Sequence, residues 1–293
     1  MSLSEARPPA PEPKQIGGRE VHPIGIGTWG MGGARLADDN IFADYRYDDR
    51  EIEAIRYSIG MGQNHIDTAA MYGAGHTEEI VGKALRGMDR ERLFVATKVW
   101  RSHSLRNAVP HSAEDSLRRL GISQLDLLYV HVPWDAIPAA EYIGGLCDAQ
   151  AAGLTRAIGV SNFSREQLEE AMALSTYPIV ANQVHYNLLN HGLVTEEMRE
   201  FCRQHGITIV AYRPVERRLL ADQTESSTIL DAAAEVGCTP AQLSIAWLLA
   251  QRGVVTIPKA GHPEHVDENL GALHVRLSES IVRRLNRVGG ERL

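Results

Sequence analysis

The sequence predicts a single (β/α)8 TIM barrel with an N-terminal hairpin and extra C-terminal helices. Two observations predict this fold. Eight short apolar segments alternate with amphipathic segments, and several of the amphipathic segments stop at or beside a glycine. This alternation is typical of parallel strands joined by right-handed crossover helices. An open doubly wound sheet would use the same elements, and we favour the closed barrel.

Proline-rich residues precede the predicted barrel. Residues 1–14 contain four prolines and few side chains that could pack, which predicts a mobile leader. The pair Gly17-Gly18 then separates two short segments, as in a two-residue hairpin turn. The barrel domain is therefore expected to span residues 15–293.

The predicted strands are short apolar runs, as expected for strands that are buried on both faces. They cover residues 24–27, 65–67, 93–98, 125–131, 155–160, 180–184, 208–212 and 254–258. The amphipathic segments between them predict helices over residues 48–60, 77–85, 108–120, 138–152, 165–175, 195–205 and 228–236.

Further helix signals follow the last crossover. Thr239 and Pro240 suit a helix cap and a first helical position, and they begin an additional helix that runs to residue 252. Two more helices are expected over residues 263–270 and 278–288. Left-handed C-terminal caps are expected at Gly60, Gly121, Gly153, Gly206, Gly237 and Gly253.

Composition and charge exclude several classes of protein. Hydrophobic residues make up 44% of the chain and charged residues 23%, which fits a soluble globular protein and not a disordered, collagen-like or coiled-coil one. The net charge of −7 comes with scattered basic residues and disfavours a nucleic-acid partner. No apolar run has the length of a membrane span, and residues 1–20 lack the apolar core of a signal peptide. We therefore expect a cytoplasmic protein that binds no membrane.

Cysteine spacing and helix pattern bear on metal binding and assembly. Cys147, Cys202 and Cys238 lie far apart without a CxxC motif, which argues against a disulfide framework and a cysteine-rich zinc site. No heptad pattern or additional interface is evident, so a monomer is expected.

A glycine motif near the first strand imitates a dinucleotide-binding fingerprint. Gly25-Ile-Gly27-Thr-Trp-Gly30 follows the GxGxxG pattern, and Asp44 lies close to the position of the ribose-binding acid. In a Rossmann fold the third glycine begins a helix, whereas turn-forming residues continue after Gly30. We interpret the motif as a glycine loop that closes the first strand.

Polar side chains end three neighbouring predicted strands. His65 and Asp67 are two residues apart on the second strand and therefore share its inward face, and Tyr72 follows on the loop. Lys98 ends the third strand and His131 ends the fourth. Because the carboxyl ends of barrel strands form the catalytic face, we expect these side chains to meet there.

A lysine beside a tyrosine points to proton donation. A phenol has an ordinary pKa of about 10 and is a poor acid at pH 7, and a neighbouring ammonium is expected to lower the pKa of Tyr72 by stabilising phenolate. Asp67 would compensate the buried Lys98, and His131 would hold a substrate oxygen near the Tyr72 hydroxyl. This set favours protonation of an oxyanion that forms by addition to a carbonyl carbon.

The sequence motifs resemble those of the aldo-keto reductases. Between residues 25 and 269 the chain contains, in that family's order, GIGTWG, HIDTAAMYG, ATKVW, LDLLYVHVP, GVSNFS, NQVHYN, AYRP and IPKA…ENL. The resemblance implies NAD(P)H-dependent reduction of an aldehyde or ketone to an alcohol by hydride transfer, with Tyr72 as general acid. It also implies a catalytic tetrad of Asp67, Tyr72, Lys98 and His131.

The resemblance further implies which residues bind the nicotinamide. Ser161, Asn162 and Gln183 are similar to the groups that hydrogen-bond its carboxamide, and Tyr212 is similar to the aromatic residue that stacks on its ring. The same pocket would be lined by Gly27, Thr28 and Trp29.

At the adenosine end the chain departs from the family pattern. Lys259 matches the lysine that meets the 2′-phosphate, and Glu268 and Asn269 match the adenine contacts. Ala260 stands where serine or threonine is common, and His265 stands where arginine is common. An imidazole is mostly neutral at pH 7 and cannot make the bidentate fork, which weakens the phosphate site. NADPH is the expected cofactor, and NADH use is the alternative.

Two further groups of residues are assigned to the mouth of the barrel. Arg213 and Arg217, in the loop after the seventh strand, are expected to reach the cofactor pyrophosphate, or else to form a solvated basic loop. An apolar, aromatic substrate pocket for a small carbonyl compound is expected from Trp29, Met71, Trp100 and Trp134.

Two other functions are open at this point. A metal-dependent hydrolase on the same barrel would use His65, Asp67, His131 and His185 as zinc ligands. A non-catalytic subunit that only binds a nucleotide would keep the same residues without turnover.

Overall fold

Eight parallel strands form the centre of the computed structural model, which describes residues 14–33, 41–216 and 226–288. They pair consecutively along the sheet, and every strand end lies within two residues of its predicted position. The hairpin strands β1 (Lys14–Ile16) and β2 (Arg19–Val21) come first. The sheet contains β3 (Ile26–Gly27), β4 (His65–Asp67), β5 (Phe94–Val99), β6 (Leu125–Val130), β7 (Thr155–Ser161), β8 (Ile179–His185), β9 (Thr208–Tyr212) and β10 (Val254–Thr256).

Backbone hydrogen bonds close this sheet into a barrel. The Gly25 N–H donates to the Thr256 carbonyl at 2.7 Å, and the Gly27 N–H donates to the Pro258 carbonyl at 3.1 Å, which joins the first strand to the last. A Cβ atom at Gly27 would lie 2.3 Å from the carbonyl oxygen of Ile257, so only glycine fits at this point. The motif ends the first strand at Gly27, as interpreted from the sequence, and Gly27 also lies where the barrel closes.

Ten α-helices surround the barrel in the described ranges. Thr239 and Pro240 are the cap and first residue of a helix, as predicted. The helices predicted to start at Thr195 and Ser278 begin one residue later, because these two side chains cap the first turn from outside it. The helices are α1 (Asp48–Gly60), α2 (His76–Leu85), α3 (Ala108–Leu120), α4 (Ala139–Ala151), α5 (Arg165–Leu174), α6 (Glu196–Gln204), α7 (Ser227–Val236), α8 (Pro240–Ala250), α9 (Pro263–Gly271) and α10 (Glu279–Leu285).

The N-terminal hairpin covers one end of the barrel. Ile16 and Val21 pack in one apolar cluster with inward side chains of the strands, including Phe94 and Leu127. Lys14, predicted to belong to the leader, instead pairs with Val21 in the hairpin, and residues 1–13 lie outside the described residues. Because this end is packed, the open end for a site is the one at the carboxyl ends of the strands.

Helix length and polarity also bear on membrane insertion. Of the helices in the described part of the chain, none combines the length and the apolar character needed to span a bilayer.

Candidate active site

A cleft of about 950 Å³ lies at the carboxyl ends of the strands. Lys98 lies beneath it, Trp134 is not among its lining residues, and Arg217 lies outside the described residues. The other residues predicted for the site all line this cleft: Gly27, Thr28, Trp29, Asp67, Met71, Tyr72, Trp100, His131, Ser161, Asn162, Gln183, Tyr212, Arg213, Lys259, His265, Glu268 and Asn269.

The ammonium of Lys98 forms the centre of a buried polar cluster at the floor of the cleft. Its Nζ atom lies 2.5 Å from Oδ1 of Asp67 and donates to the Thr68 carbonyl at 2.8 Å. It also lies 3.4 Å from the hydroxyl oxygen of Tyr72. Asp67 ends β4 and Lys98 lies on β5, two residues beyond the partner of Asp67, so both side chains point inward. The predicted approach of the ammonium to the phenol is therefore present.

Burial and the neighbouring charges together set the pKa values within this cluster. For Tyr72, burial raises the pKa more than the Lys98 ammonium lowers it, so the expectation of a lowered pKa is wrong. Burial alone would lower the pKa of Lys98, but the neighbouring Asp67 carboxylate and Tyr72 raise it overall. Tyr72 is thus a neutral phenol beside the Lys98 ammonium. The ammonium stabilises the phenolate that forms when Tyr72 gives up its proton.

His131 faces the same cavity as a neutral imidazole. Burial, followed by the nearby Lys98 charge, places its pKa well below the usual value. Its ring lies edge-on to Tyr72 with 5.7 Å between centroids, and edge-on to Trp100 at 5.1 Å. Its Nδ1 atom has no hydrogen-bond partner in the described residues. His131 therefore lines the cleft as an uncharged ring.

The three amide and hydroxyl residues predicted to hold the nicotinamide form one network. The Ser161 hydroxyl donates to the main-chain carbonyl of Gln183 at 2.9 Å, and the side-chain amide of Asn162 donates to Oγ of Ser161 at 3.0 Å. The Gln183 amide donates to Oδ2 of Asp67 at 2.7 Å, a contact that sequence reasoning missed. This bond links the predicted nicotinamide site to the lysine cluster.

Tyr212 is held on one side by its neighbours. Its hydroxyl donates to Oδ1 of Asn162 at 2.9 Å, and the His185 ring stacks on it with 5.4 Å between centroids and 10° between planes. His185 is in turn 2.5 Å from Oε2 of Glu216 and 3.0 Å from Nδ2 of Asn190. No sequence motif indicated the His185–Glu216 pair, which connects residues 31 apart in the chain. Tyr212 thus presents a restrained ring to the cleft.

The corner of the cleft near Lys259 contains residues that the sequence did not single out. Arg50 in α1 and His262 before α9 line it together with His265. Arg50 lies in the first turn of an amphipathic helix, where an arginine is ordinarily solvated, so no local signal distinguished it. Its guanidinium carbon lies 4.3 Å above the Tyr47 ring.

The aromatic residues of the predicted substrate pocket divide into two groups. Trp29 packs edge-on against Tyr72 with 4.9 Å between centroids, and Met71 and Trp100 also line the cleft. Trp134 lies away from the lining, and the Arg101 guanidinium is 6.0 Å from its ring centroid.

The loop after β9 carries the predicted arginines. Arg213 lines the cleft and has a φ of 51°, and Glu216 has a φ of 44°, a left-handed conformation that is uncommon for either residue type. Arg217 and its predicted role fall outside the described residues.

The residues of the metal-hydrolase alternative do not form a ligand set. No group of three or more histidine, cysteine, aspartate or glutamate side chains in the described residues is arranged to hold a metal ion. Asp67 is bound to Lys98, and His185 is bound to Glu216.

Comparison with known proteins identifies the family. The model of the aldo/keto reductase family matches residues 23–289. The chain belongs to this family. It is 31% identical to the methylglyoxal reductase YeaE of Escherichia coli K12, over 90% of this chain and 89% of that protein. The predicted resemblance is therefore confirmed.

Solved structures of aldo-keto reductases share the fold of the chain. A thermostable aldo-keto reductase in complex with the inhibitor epalrestat is 42% identical, with a TM-score of 0.88 over 95% of this chain and 100% of that one. The aldo/keto reductase of Klebsiella pneumoniae in complex with NADP and acetate is 33% identical, with a TM-score of 0.83 over 96% of each chain. Membership places this aldo/keto reductase among the oxidoreductases.

Proposed function

We propose that this aldo/keto reductase uses NADPH to reduce an aldehyde or ketone of small size to an alcohol, with Tyr72 as the proton donor. The observation that supports this most directly is the position of the Tyr72 hydroxyl, 3.4 Å from the Lys98 ammonium and at the floor of the cleft. The complex of the Klebsiella pneumoniae relative with NADP supports the choice of cofactor.

The residues of the cleft fit a nicotinamide dinucleotide phosphate. Tyr212 offers a restrained aromatic face, and Asn162 and Ser161 lie beside it with polar groups suited to a carboxamide. Lys259 offers a positive charge to a phosphate, and Asn269 lies in the same lining. When bound, the cofactor supplies the hydride.

The polar cluster around Lys98 at the floor of the cleft can supply the proton that the reduction needs. As the hydride adds to the carbonyl carbon, the π-electron pair moves onto the oxygen, and the Tyr72 hydroxyl donates its proton to that oxygen. The resulting phenolate is stabilised by the Lys98 ammonium and regains a proton from solvent. Neutral His131 donates a hydrogen bond that orients the carbonyl oxygen toward Tyr72.

Replacement of the proposed acid is the direct test. In Tyr72→Phe we expect kcat for a model aldehyde to fall by roughly 10²- to 10⁴-fold, because only the proton donor is removed. The Kd for NADPH, measured by fluorescence titration, is expected to stay near the wild-type value. Steady-state absorbance of the nicotinamide follows turnover, with NADPH and NADH run in parallel.

Tyr142→Phe is the matched control. Tyr142 is buried in α4 against Phe163, away from the cleft, so loss of its hydroxyl should leave kcat unchanged. Wild-type turnover in Tyr72→Phe would remove Tyr72 from the acid role. Tight NADPH binding without steady-state turnover in the wild-type protein would instead favour a non-catalytic subunit.

A further inference from the structure

Two cations at one corner of the cleft have no carboxylate partner in the described residues. Arg50 is half-buried and its Nε atom is buried without a hydrogen-bond partner there. Among the residues that the structure describes, the Lys259 ammonium has one hydrogen-bond acceptor, the Gly30 carbonyl at 3.5 Å. A guanidinium that is partly withdrawn from water without an acceptor is costly, so its position indicates that an anionic ligand completes it.

The neighbouring acidic and imidazole groups only partly offset the charge of this corner. Glu51 is buried and accepts the Gly32 N–H at 2.8 Å, and it attracts Lys259 and Arg50 without a salt bridge to either. His262 has a lowered pKa, through burial and then through the Arg50 charge, so it adds little positive charge at neutral pH. Arg50 and Lys259 therefore face the cleft with one carboxylate near them and no direct ion pair.

This corner is separate from the catalytic floor. It is built from α1, the segment after β10 and the start of α9, and the proposed catalytic residues come from other elements, namely β4, the turn after it, β5 and the end of β6. The Tyr47 ring packs 4.3 Å from the Arg50 guanidinium carbon and restrains it. A ligand group held here would be a distant part of the cofactor and not its reacting ring.

We propose that Arg50 in α1 joins Lys259, the lysine matched by the family resemblance, at the 2′-phosphate of NADP(H), and that Arg50 supplies the guanidinium that is missing at His265. This inference rests on the proposed function for its cofactor. A phosphomonoester carries nearly two negative charges at pH 7, which matches the two cations. The planar guanidinium can bind two of its oxygens at once, and the ammonium contributes a point charge.

The test compares nucleotides with and without that phosphate. In Arg50→Gln we expect the Kd for NADPH to rise by roughly 10- to 100-fold, because a charge-assisted hydrogen-bond pair is lost. The Kd for NADH should not change, because NADH lacks the phosphate. Both are measured by fluorescence titration, and the ratio of the two Kd values is the readout.

Two further variants test whether position and shape of the Arg50 guanidinium matter, and not only its positive charge. Arg56 lies on the same helix but donates to the carbonyls of Ala84 and Lys83, so Arg56→Gln should leave both Kd values unchanged. Arg50→Lys keeps the charge without the fork and should give an intermediate Kd for NADPH. An equal loss of NADH and NADPH affinity in Arg50→Gln, or no loss of either, would overturn the assignment.

Adenosine 2′,5′-bisphosphate separates this inference from the proposed reaction. It lacks the nicotinamide, so its binding does not depend on carbonyl chemistry. Arg50-dependent binding of this fragment, with 5′-AMP indifferent to Arg50, supports the phosphate site even in a protein that reduces no carbonyl compound. Arg50-independent binding in a protein that does reduce aldehydes overturns the phosphate site and leaves the reaction standing.

Discussion

Burial shifts the pKa values of Tyr72, His131 and His65 toward their uncharged forms. Tyr72 stays a neutral phenol although an ammonium lies beside it, since withdrawal from water raises its pKa. In His65 both ring nitrogens lack a partner in the described residues, and burial lowers its pKa to about 3. It packs edge-on against Phe94, at 5.2 Å between centroids. His65 is therefore an uncharged packing residue and not a proton carrier.

His65→Gln should change how stability depends on pH. The unfolded histidine has a pKa near 6.5 and the folded one about 3, so below pH 6.5 the unfolded chain binds a proton that the folded chain refuses. Wild-type stability should fall with decreasing pH in this window by about 1 kcal/mol per pH unit more than that of the variant. Urea unfolding between about pH 7 and pH 5 measures both slopes. Parallel slopes would show that the buried imidazole does not control this dependence.

At the amino ends of the barrel strands, opposite the cleft, buried ion pairs stabilise the fold. Asp126 on β6 is fully buried and forms salt bridges with Arg19 and with Arg90, the latter at 2.6 Å. It also accepts the Val95 N–H at 2.8 Å. These contacts join the hairpin and two strands at the amino ends of the barrel strands, where side chains serve stability and not chemistry.

Asp126→Asn should destabilise the fold without affecting catalysis. The change leaves Arg19, Arg90 and Arg156 without the buried carboxylate that all three contact, at a cost of about 3–5 kcal/mol in the free energy of unfolding. Asp148→Asn is the control, because the Asp148–Arg106 pair is exposed and should contribute less than about 1 kcal/mol. Urea unfolding gives the free energies, and kcat/KM of both variants is expected to match wild type. Equal destabilisation by the two changes would contradict this account.

Closure of the barrel is the property of the whole molecule on which the cleft depends. Gly27 and Thr28 line the cleft, and Gly27 is also where the first strand meets the chain that follows β10. This meeting of the first strand with the chain after β10, the seam of the barrel, brings Lys259 beside Gly27, although the two residues are far apart in the sequence. The packing at this seam therefore also sets the shape of the cleft.

Gly27→Ala should weaken both stability and cofactor binding. The new Cβ would lie 2.3 Å from a backbone oxygen, which cannot move without opening the seam, so a loss of at least about 2 kcal/mol is expected. Gly60→Ala is the control: nothing lies within 4 Å of its Cβ, and the change at a helix end should be neutral or stabilising by up to about 1 kcal/mol. Thermal unfolding with and without NADPH measures both effects. An unaltered melting temperature in Gly27→Ala would show that the seam tolerates a side chain.

Local signals predicted the elements because each depends on a few neighbouring residues. Strand and helix periodicity, the Thr239-Pro240 cap and the Gly17-Gly18 turn all correspond to the structure. Five of the six predicted glycine caps have positive φ, whereas Gly60 ends its helix and Gly62 takes the φ of 100°. A cap depends on where the last turn ends, and packing moves that point by one or two residues.

The residue pattern alone establishes the alternating strands and helices and the meeting of Asp67, Lys98 and Tyr72, because alternation along a strand and the order of parallel strands place these side chains on one rim. Four features emerge only in the folded chain: closure of the barrel, the raised pKa of Tyr72, the absence of Trp134 from the cleft lining and the arrival of Arg50 beside Lys259. Desolvation and contact between distant segments arise when the barrel closes, and no local pattern encodes either.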